Sequence, residues 1–265
     1  MKITIIGGGN MGGSIVRGLV KGSLFKASDI TVIDICQDPL NALKAFNSDL
    51  NTALNNHAEI EKADVVILAV KPWMVEDAIL DIKFKLDYKR QILVSVAAGV
   101  CFEDMKKSLN KPTEAQSLPA LFRAIPNTAI SVGESMTLIA ANNTSSEQEA
   151  LVLKIFNDVG YATLIDEDKL SAGIALTSCG IAYLFRYVRA AMLAGTEMGL
   201  YPQQAQELIV RTMKGAAALL LEKGSNPEIE IDKVTTPGGI TIKGLNKMEE
   251  LGFSNAIIQG LKASK

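Results

Sequence analysis

Ile3-Thr4-Ile5-Ile6-Gly7-Gly8-Gly9-Asn10-Met11-Gly12 follows Met1 and Lys2 at the start of the chain. Four β-prone residues run directly into a glycine-rich turn. Residues 11–21 then read as a helix, with Ile15, Val16 and Leu19 on one side and Gly22 as its stop. Gly7, Gly9 and Gly12 fit the spacing GxGxxG. In a strand–turn–helix unit the first glycine permits the tight turn, the second lets the backbone approach a pyrophosphate, and the third lets helix and strand pack closely. The free N–H groups and positive end of the helix would then face the anion. An ordinary glycine-rich turn in some other α/β protein is the competing explanation. The placement after a strand and before a helix, with an acid closing the next strand, favours a dinucleotide.

That acid is Asp34, 22 residues past Gly12 at the end of a strand over residues 30–33. A carboxylate there can accept hydrogen bonds from the ribose hydroxyls of NAD and would repel the 2′-phosphate of NADP. No arginine follows among Ile35, Cys36 and Gln37, so NADH is modestly favoured; a turn or capping aspartate is the alternative. A helix from about Pro39 comes next. Further β-rich runs occupy residues 65–70, 92–96, 121–125, 136–140 and 161–165. Several are continuously apolar, as strands buried on both faces of a parallel sheet must be. Strands alternating with helices imply right-handed crossovers and a Rossmann-type doubly wound α/β sheet. In such a sheet ligands lie outside the carboxyl ends of the strands. Ala69-Val70-Lys71-Pro72, Ala97-Ala98-Gly99 and Asn127-Thr128 all fall there. Lys71 is equally readable as a solvated lysine, the small residues 97–99 as close packing, and Pro126-Asn127 as a plain turn.

With 265 residues, 48% hydrophobic and 21% charged, the chain has enough apolar mass for a folded core. A net charge of −2 gives no sign of a nucleic-acid or membrane partner. Cys36, Cys101 and Cys179 form no CxxC pair, which fits a reducing cytoplasm rather than a disulfide framework or a metal site. No leader or membrane span is expected: the run 3–6 is too short, and no stretch reaches the ~18 apolar residues of a spanning helix. His57, the single histidine, sits in a polar stretch, and no Ser-His-Asp context surrounds it.

After the polar run 142–146 and one last strand, the sequence is helical almost throughout. The expected division is a dinucleotide-binding domain over residues 1–165 and an all-helical domain over 166–265. Residues 172–185 read as a buried core helix. A second helix opens at Tyr201-Pro202, carries apolar residues such as Leu208, Ile209 and Met213 at helical spacing, and stops at Gly224. Helices apolar on more than one side need covering, so this domain is expected to pack against a second copy of itself, as a dimerisation domain. Within it, Thr235-Thr236-Pro237-Gly238-Gly239-Ile240-Thr241 leads into a helical pattern through Ile242, Leu245 and Met248. The free N–H groups at that helix start could hold a carboxylate, or the segment is an ordinary loop-to-helix junction.

Taken together, the motifs resemble the pyrroline-5-carboxylate reductase family over essentially the whole length. The resemblance lies in Gly7-Gly8-Gly9-Asn10-Met11, in Ala69 through Pro72, in Ala97 through Gly99, in Pro126-Asn127-Thr128, and most specifically in the segment 235–245. It implies reduction of 1-pyrroline-5-carboxylate to L-proline with NAD(P)H, in a homodimer or an assembly of dimers. Residues 6–11 (Ile6, Gly7, Gly8, Gly9, Asn10, Met11) would take the diphosphate, with Gly12 supporting the loop. Asp34 and Asn56 would lie at the adenosine end. Ala69, Val70, Lys71, Pro72, Ala97, Ala98 and Gly99 would run along the nicotinamide half. Pro237, Gly238, Gly239, Ile240 and Thr241 would bind the substrate, with the Thr241 hydroxyl at the ring nitrogen as the catalytic contact. The chain departs from the family pattern at Cys179, Ala129 and Ile240. The alternatives are a 3-hydroxyacid-type dehydrogenase, another imine reductase, or a non-catalytic dinucleotide-binding regulator. The lysine–asparagine pair of the first is missing from a helix that carries Tyr183, Arg186 and Tyr187.

Overall fold

A computed structural model describes residues 1–111, 118–222 and 224–265. The chain divides into two compact units, Met1–Ser178 and Cys179–Lys265.

The first unit is built on eight strands: β1 (Ile3–Ile6), β2 (Ile30–Asp34), β3 (Asn51–Leu54), β4 (Val65–Leu68), β5 (Ile92–Ser95), β6 (Ala120–Ile125), β7 (Ser135–Asn142) and β8 (Gly160–Leu164). They lie in the order β3-β2-β1-β4-β5-β6-β7-β8. Helices α1 (Asn10–Lys21), α2 (Gln37–Phe46), α3 (Val75–Ile82), α4 (Phe102–Leu109), α5 (Ser146–Asn157) and α6 (Leu170–Ile174) complete it. Alternate strand residues feed two separate cores. Ile3, Ile5 and Phe122 pack with Leu19, Leu43 and Phe156 on one face. Ile6, Val66, Leu68 and Leu121 pack with Ile79, Met105 and Leu170 on the other. Burial on both faces is why β4 reads as an unbroken apolar run and why β1 and β5 carry one polar residue each, Thr4 and Ser95, both buried.

Three features depart from the sequence reading. β3 is an edge strand, Asn-Thr-Ala-Leu, half exposed along its length, so it lacks the apolar run that marks its neighbours. β6 and β7 pair antiparallel, whereas the other neighbours run parallel. Only the short 3₁₀ turn Thr128–Val132 joins them, and a parallel crossover needs about a dozen residues or more. Finally, the sheet unit runs to Ser178 rather than 165. Leu170 is buried in the second-face core and Glu167 pairs with Arg123 of β6, so 166–178 folds with the sheet.

The second unit holds α7 (Gly180–Glu197), α8 (Pro202–Leu221), α9 (Pro227–Val234), α10 (Ile240–Glu250) and α11 (Phe253–Lys262). Helix α8 ends at Leu221, ahead of Gly224. A side chain at Gly195 would come 3.0 Å from the Ala205 Cβ, so α7 and α8 pack closely there. Little else is buried. Leu184 is 53% and Phe185 62% exposed, so the stretch 172–185 does not end as a core helix within one chain. Its apolar side chains are left for a partner to cover. Among the described residues no helix is long and apolar enough to cross a membrane.

Asp158, at the C-terminus of α5, ties that helix to the end of α1. Its carboxylate accepts from the Ser23 N–H at 2.9 Å, the Ser23 hydroxyl at 2.7 Å and the Leu24 N–H at 3.0 Å. Burial pushes the Asp158 pKa up, but these bonds and nearby Lys154 outweigh it and hold the carboxyl below its ordinary value. A depressed carboxylate stabilises the fold above its unfolded pKa, and that contribution is lost as pH falls through the folded pKa. Asp158→Asn should therefore lower stability at neutral pH by ~1–3 kcal/mol. The gap from wild type should shrink on acidification through the carboxylate range, as checked by denaturant melts across pH.

Candidate functional site

Three turns leave the carboxyl ends of adjacent strands side by side. The Gly7 N–H donates to the Ile33 carbonyl at 2.7 Å, the Ala69 N–H to the Ile6 carbonyl at 2.7 Å, and the Val96 N–H to the Leu68 carbonyl at 3.0 Å. Strand order reverses between β1 and β4, which makes this the topological switch point of the sheet. Residue 7 has φ +102°, and a Cβ there would lie 2.6 Å from the Ala69 carbonyl oxygen. A Cβ at residue 12 would lie 1.9 Å from the Gly7 carbonyl oxygen. Both glycines are therefore required by the backbone itself.

Gly9 differs. No heavy atom lies within 4 Å of where its Cβ would be. It is the N-cap of α1, with no side-chain cap and no acid in the first turn. The start of α1 thus offers free N–H groups and a positive dipole end to open space. That arrangement fits a dinucleotide diphosphate.

Asp34 is half-buried and folded onto this loop. Oδ2 accepts from the Gly8 N–H at 2.6 Å and Oδ1 from the Cys36 N–H at 2.8 Å. A carboxylate has about four acceptor positions, so both oxygens can still receive ribose hydroxyls. Asn56 is exposed, and its Oδ1 accepts from the Ala58 N–H at 3.0 Å. Ala69 and Val70 are half-buried, while Lys71 and Pro72 are exposed. Beside them stands Trp73, 76% exposed, which the sequence reading passed over. Ala97 is buried, and its N–H donates to the Ser95 hydroxyl at 3.3 Å. Ala98 and Gly99 are exposed, the latter at φ +86°. Asn127 is committed to the protein instead: Oδ1 accepts from the Ala129 N–H at 3.0 Å and Nδ2 donates to the Thr177 carbonyl at 3.3 Å. These bonds shape the turn.

The structure also brings together a pair with no sequence signature. Arg123 Nη1 lies 2.8 Å from Glu167 Oε1, across 44 residues of chain. Only the fold could reveal it.

In the helical unit, Gly239 is the N-cap of α10, again with no side-chain cap and no acid in the first turn. Gly238 has φ +70°, and a Cβ at Gly239 would come 2.6 Å from the Thr236 hydroxyl. Pro237, Gly238, Ile240 and Thr241 are exposed. The Gly239 N–H closes the turn onto the Thr236 carbonyl at 2.9 Å, and the helix start beyond it presents backbone donors with the Thr241 hydroxyl beside them.

Comparison with known proteins matches residues 167–265 to a family model described as pyrroline-5-carboxylate reductase dimerisation, and residues 2–99 to one described as NADP oxidoreductase, coenzyme F420-dependent. The chain is 37% identical over 276 residues to pyrroline-5-carboxylate reductase 2 of Dictyostelium discoideum, spanning 99% of this chain and 90% of that protein. It is 36% identical over 274 residues to pyrroline-5-carboxylate reductase 1 of the same organism, covering 99% of this chain but 48% of the relative, about half its length. The crystal structure of a pyrroline-5-carboxylate reductase from Coxiella burnetii aligns with a TM-score of 0.87 at 31% identity, over 99% of this chain and 95% of that one.

The two kinds of glycine are separable by experiment. Gly9→Ala should keep stability within about 1 kcal/mol, since its Cβ meets nothing and only an N-cap preference changes. It should nonetheless weaken binding of a reduced nicotinamide dinucleotide in a fluorescence titration. Gly12→Ala should lower the melting temperature itself.

Proposed function

The chain belongs to the pyrroline-5-carboxylate reductase family, and on that premise we propose that it reduces 1-pyrroline-5-carboxylate to L-proline with NAD(P)H. The observation carrying this reading is the segment 235–241. It ends in an uncapped helix start with a threonine in the first turn, a feature that a dinucleotide-binding fold does not by itself require. When bound, the reduced nicotinamide supplies the hydride for the imine carbon. A protonated cyclic imine is already electrophilic, so the protein's work is mainly orientation.

The residue roles come from the family resemblance, and the geometry supports them. The N–H groups at the start of α1 hold the diphosphate, over Gly7, Gly8 and Gly9. Asp34 accepts from the adenosine ribose, with Asn56 close to the adenosine end. Ala69, Val70, Lys71, Pro72, Ala97, Ala98 and Gly99 line the nicotinamide half. The backbone N–H groups of Gly238, Ile240 and Thr241 hold the substrate carboxylate, with the Gly239 N–H closing the turn onto the Thr236 carbonyl at 2.9 Å, and the Thr241 hydroxyl hydrogen-bonds the ring nitrogen and relays its proton.

Within the cofactor class we favour NADH. The Asp34 carboxylate, pinned by Gly8 and Cys36, puts a fixed negative charge where a 2′-phosphate would come. The exposed apolar side chains of α7 and α8 favour a homodimer or larger assembly. Three unpaired cysteines suit a reducing cytoplasm.

Two substitutions test this. Thr241→Val should reduce turnover of pyrroline-5-carboxylate by ~10²-fold, the scale of a lost proton-transfer partner, while dinucleotide affinity stays unchanged. Unchanged turnover would remove Thr241 from the chemistry. Asp34→Asn should raise the ratio of NADPH to NADH specificity by about tenfold or more, because a like-charge contact disappears. A ratio that stays fixed would show that Asp34 serves only the loop.

A further inference from the structure

We propose that Glu167 is a positioning residue for the nicotinamide-side turn Ala97-Ala98-Gly99, acting through the first residue of α4 and through Arg123. The inference rests on reading that turn as cofactor-facing. The turn belongs to the segment 96–101, which leaves β5 at Ser95 and enters α4 at Phe102. Glu167 fastens both ends. Its Oε1 accepts from the Phe102 N–H at 2.8 Å, one of the donors that a helix start leaves without an intrahelical partner. The same oxygen accepts from Arg123 Nη1 at 2.8 Å. Arg123 stands on β6 directly opposite Ser95, where the segment begins.

Arg123 depends on that carboxylate. The residue is 6% exposed. Its Nε has no hydrogen-bond partner among the described residues. Among the described residues Glu167 is its one ion-pair partner, and a buried cation that loses such a partner is strongly disfavoured and will shift to find water. The α4 start has a separate tie, in which Asp104 Oδ2 accepts from the Cys101 N–H at 3.4 Å and from its thiol at 3.0 Å. Removing the Glu167 charge should therefore leave α4 formed while releasing the backbone between Ser95 and Phe102. The floor under the nicotinamide would loosen, and the diphosphate end at Gly7 to Gly12 would not.

Glu167→Gln, Glu167→Asp and wild type would be compared for binding of ADP-ribose, which lacks the nicotinamide, for binding of NADH, for kcat, and for amide exchange at Phe102. In Glu167→Gln, exchange at Phe102 should quicken about tenfold or more. ADP-ribose affinity should stay within about twofold, while NADH affinity and kcat each fall about tenfold. Glu167→Asp keeps the charge but retracts it by one methylene. It should recover thermal stability without recovering NADH affinity, and it carries the test if the glutamine variant does not fold. Faster exchange with unchanged NADH affinity and kcat would overturn the proposal, leaving a structural ion pair. So would equal losses for ADP-ribose and NADH. A wild-type protein that turns over no substrate with either cofactor would instead overturn the functional reading beneath it.

Discussion

The Ala69 carbonyl oxygen fills the space that a side chain on residue 7 would need, 2.6 Å from where the Cβ would stand. The remaining geometry of the sheet unit's candidate site follows from this close approach. It brings the turn after β1 against the turn after β4, at the point where strand order reverses. With residue 7 at φ +102°, the chain can turn sharply enough to start α1 at Asn10. Gly12 then has to accept the Gly7 carbonyl oxygen with no side chain of its own. Helix α1 therefore starts with its donors at the carboxyl ends of β1 and β4. Asp34 reinforces the arrangement, its Oδ2 taking the Gly8 N–H at 2.6 Å.

The two helix starts assigned to anions share one feature. Helices α1 and α10 both start at a glycine N-cap, with no side-chain cap and no acidic residue in the first turn. Side chains accept from first-turn N–H groups at two other helix starts, Ser145 at α5 and Asn226 at α9, while α11 shares the bare glycine N-cap, at Gly252. Leaving a helix start uncapped forgoes stability that a serine or asparagine would supply. It is useful where an anion is to take the place of the cap. A diphosphate and a carboxylate are the two anions that the proposed reaction brings together.

How much of this could be read from the sequence depended on whether a feature is local. The glycine turn was legible because backbone sterics alone demand glycine at 7 and 12. β1, β4 and β5 were legible because burial on both faces leaves no polar alternation. β3 was not, since an edge strand of Asn, Thr, Ala and Leu looks like a loop. The antiparallel turn from β6 to β7 was hidden because both strands are buried much like parallel ones, and only the brevity of the connection betrays it. The segment 166–178 looked like the start of the helical domain, but the partners of Leu170 and Glu167 lie in the sheet unit, far away in sequence. Asn127 illustrates the same limit within the site: its spacing allowed a ligand role, and the fold spends its side chain on Ala129 and Thr177.

The most direct measurement is to mix the purified chain with 1-pyrroline-5-carboxylate and either NADH or NADPH. Loss of reduced-nicotinamide absorbance would be followed alongside formation of proline. The account predicts one proline formed per cofactor oxidised, with NADH the better donor. Failure to oxidise either cofactor, or oxidation without proline, would contradict it.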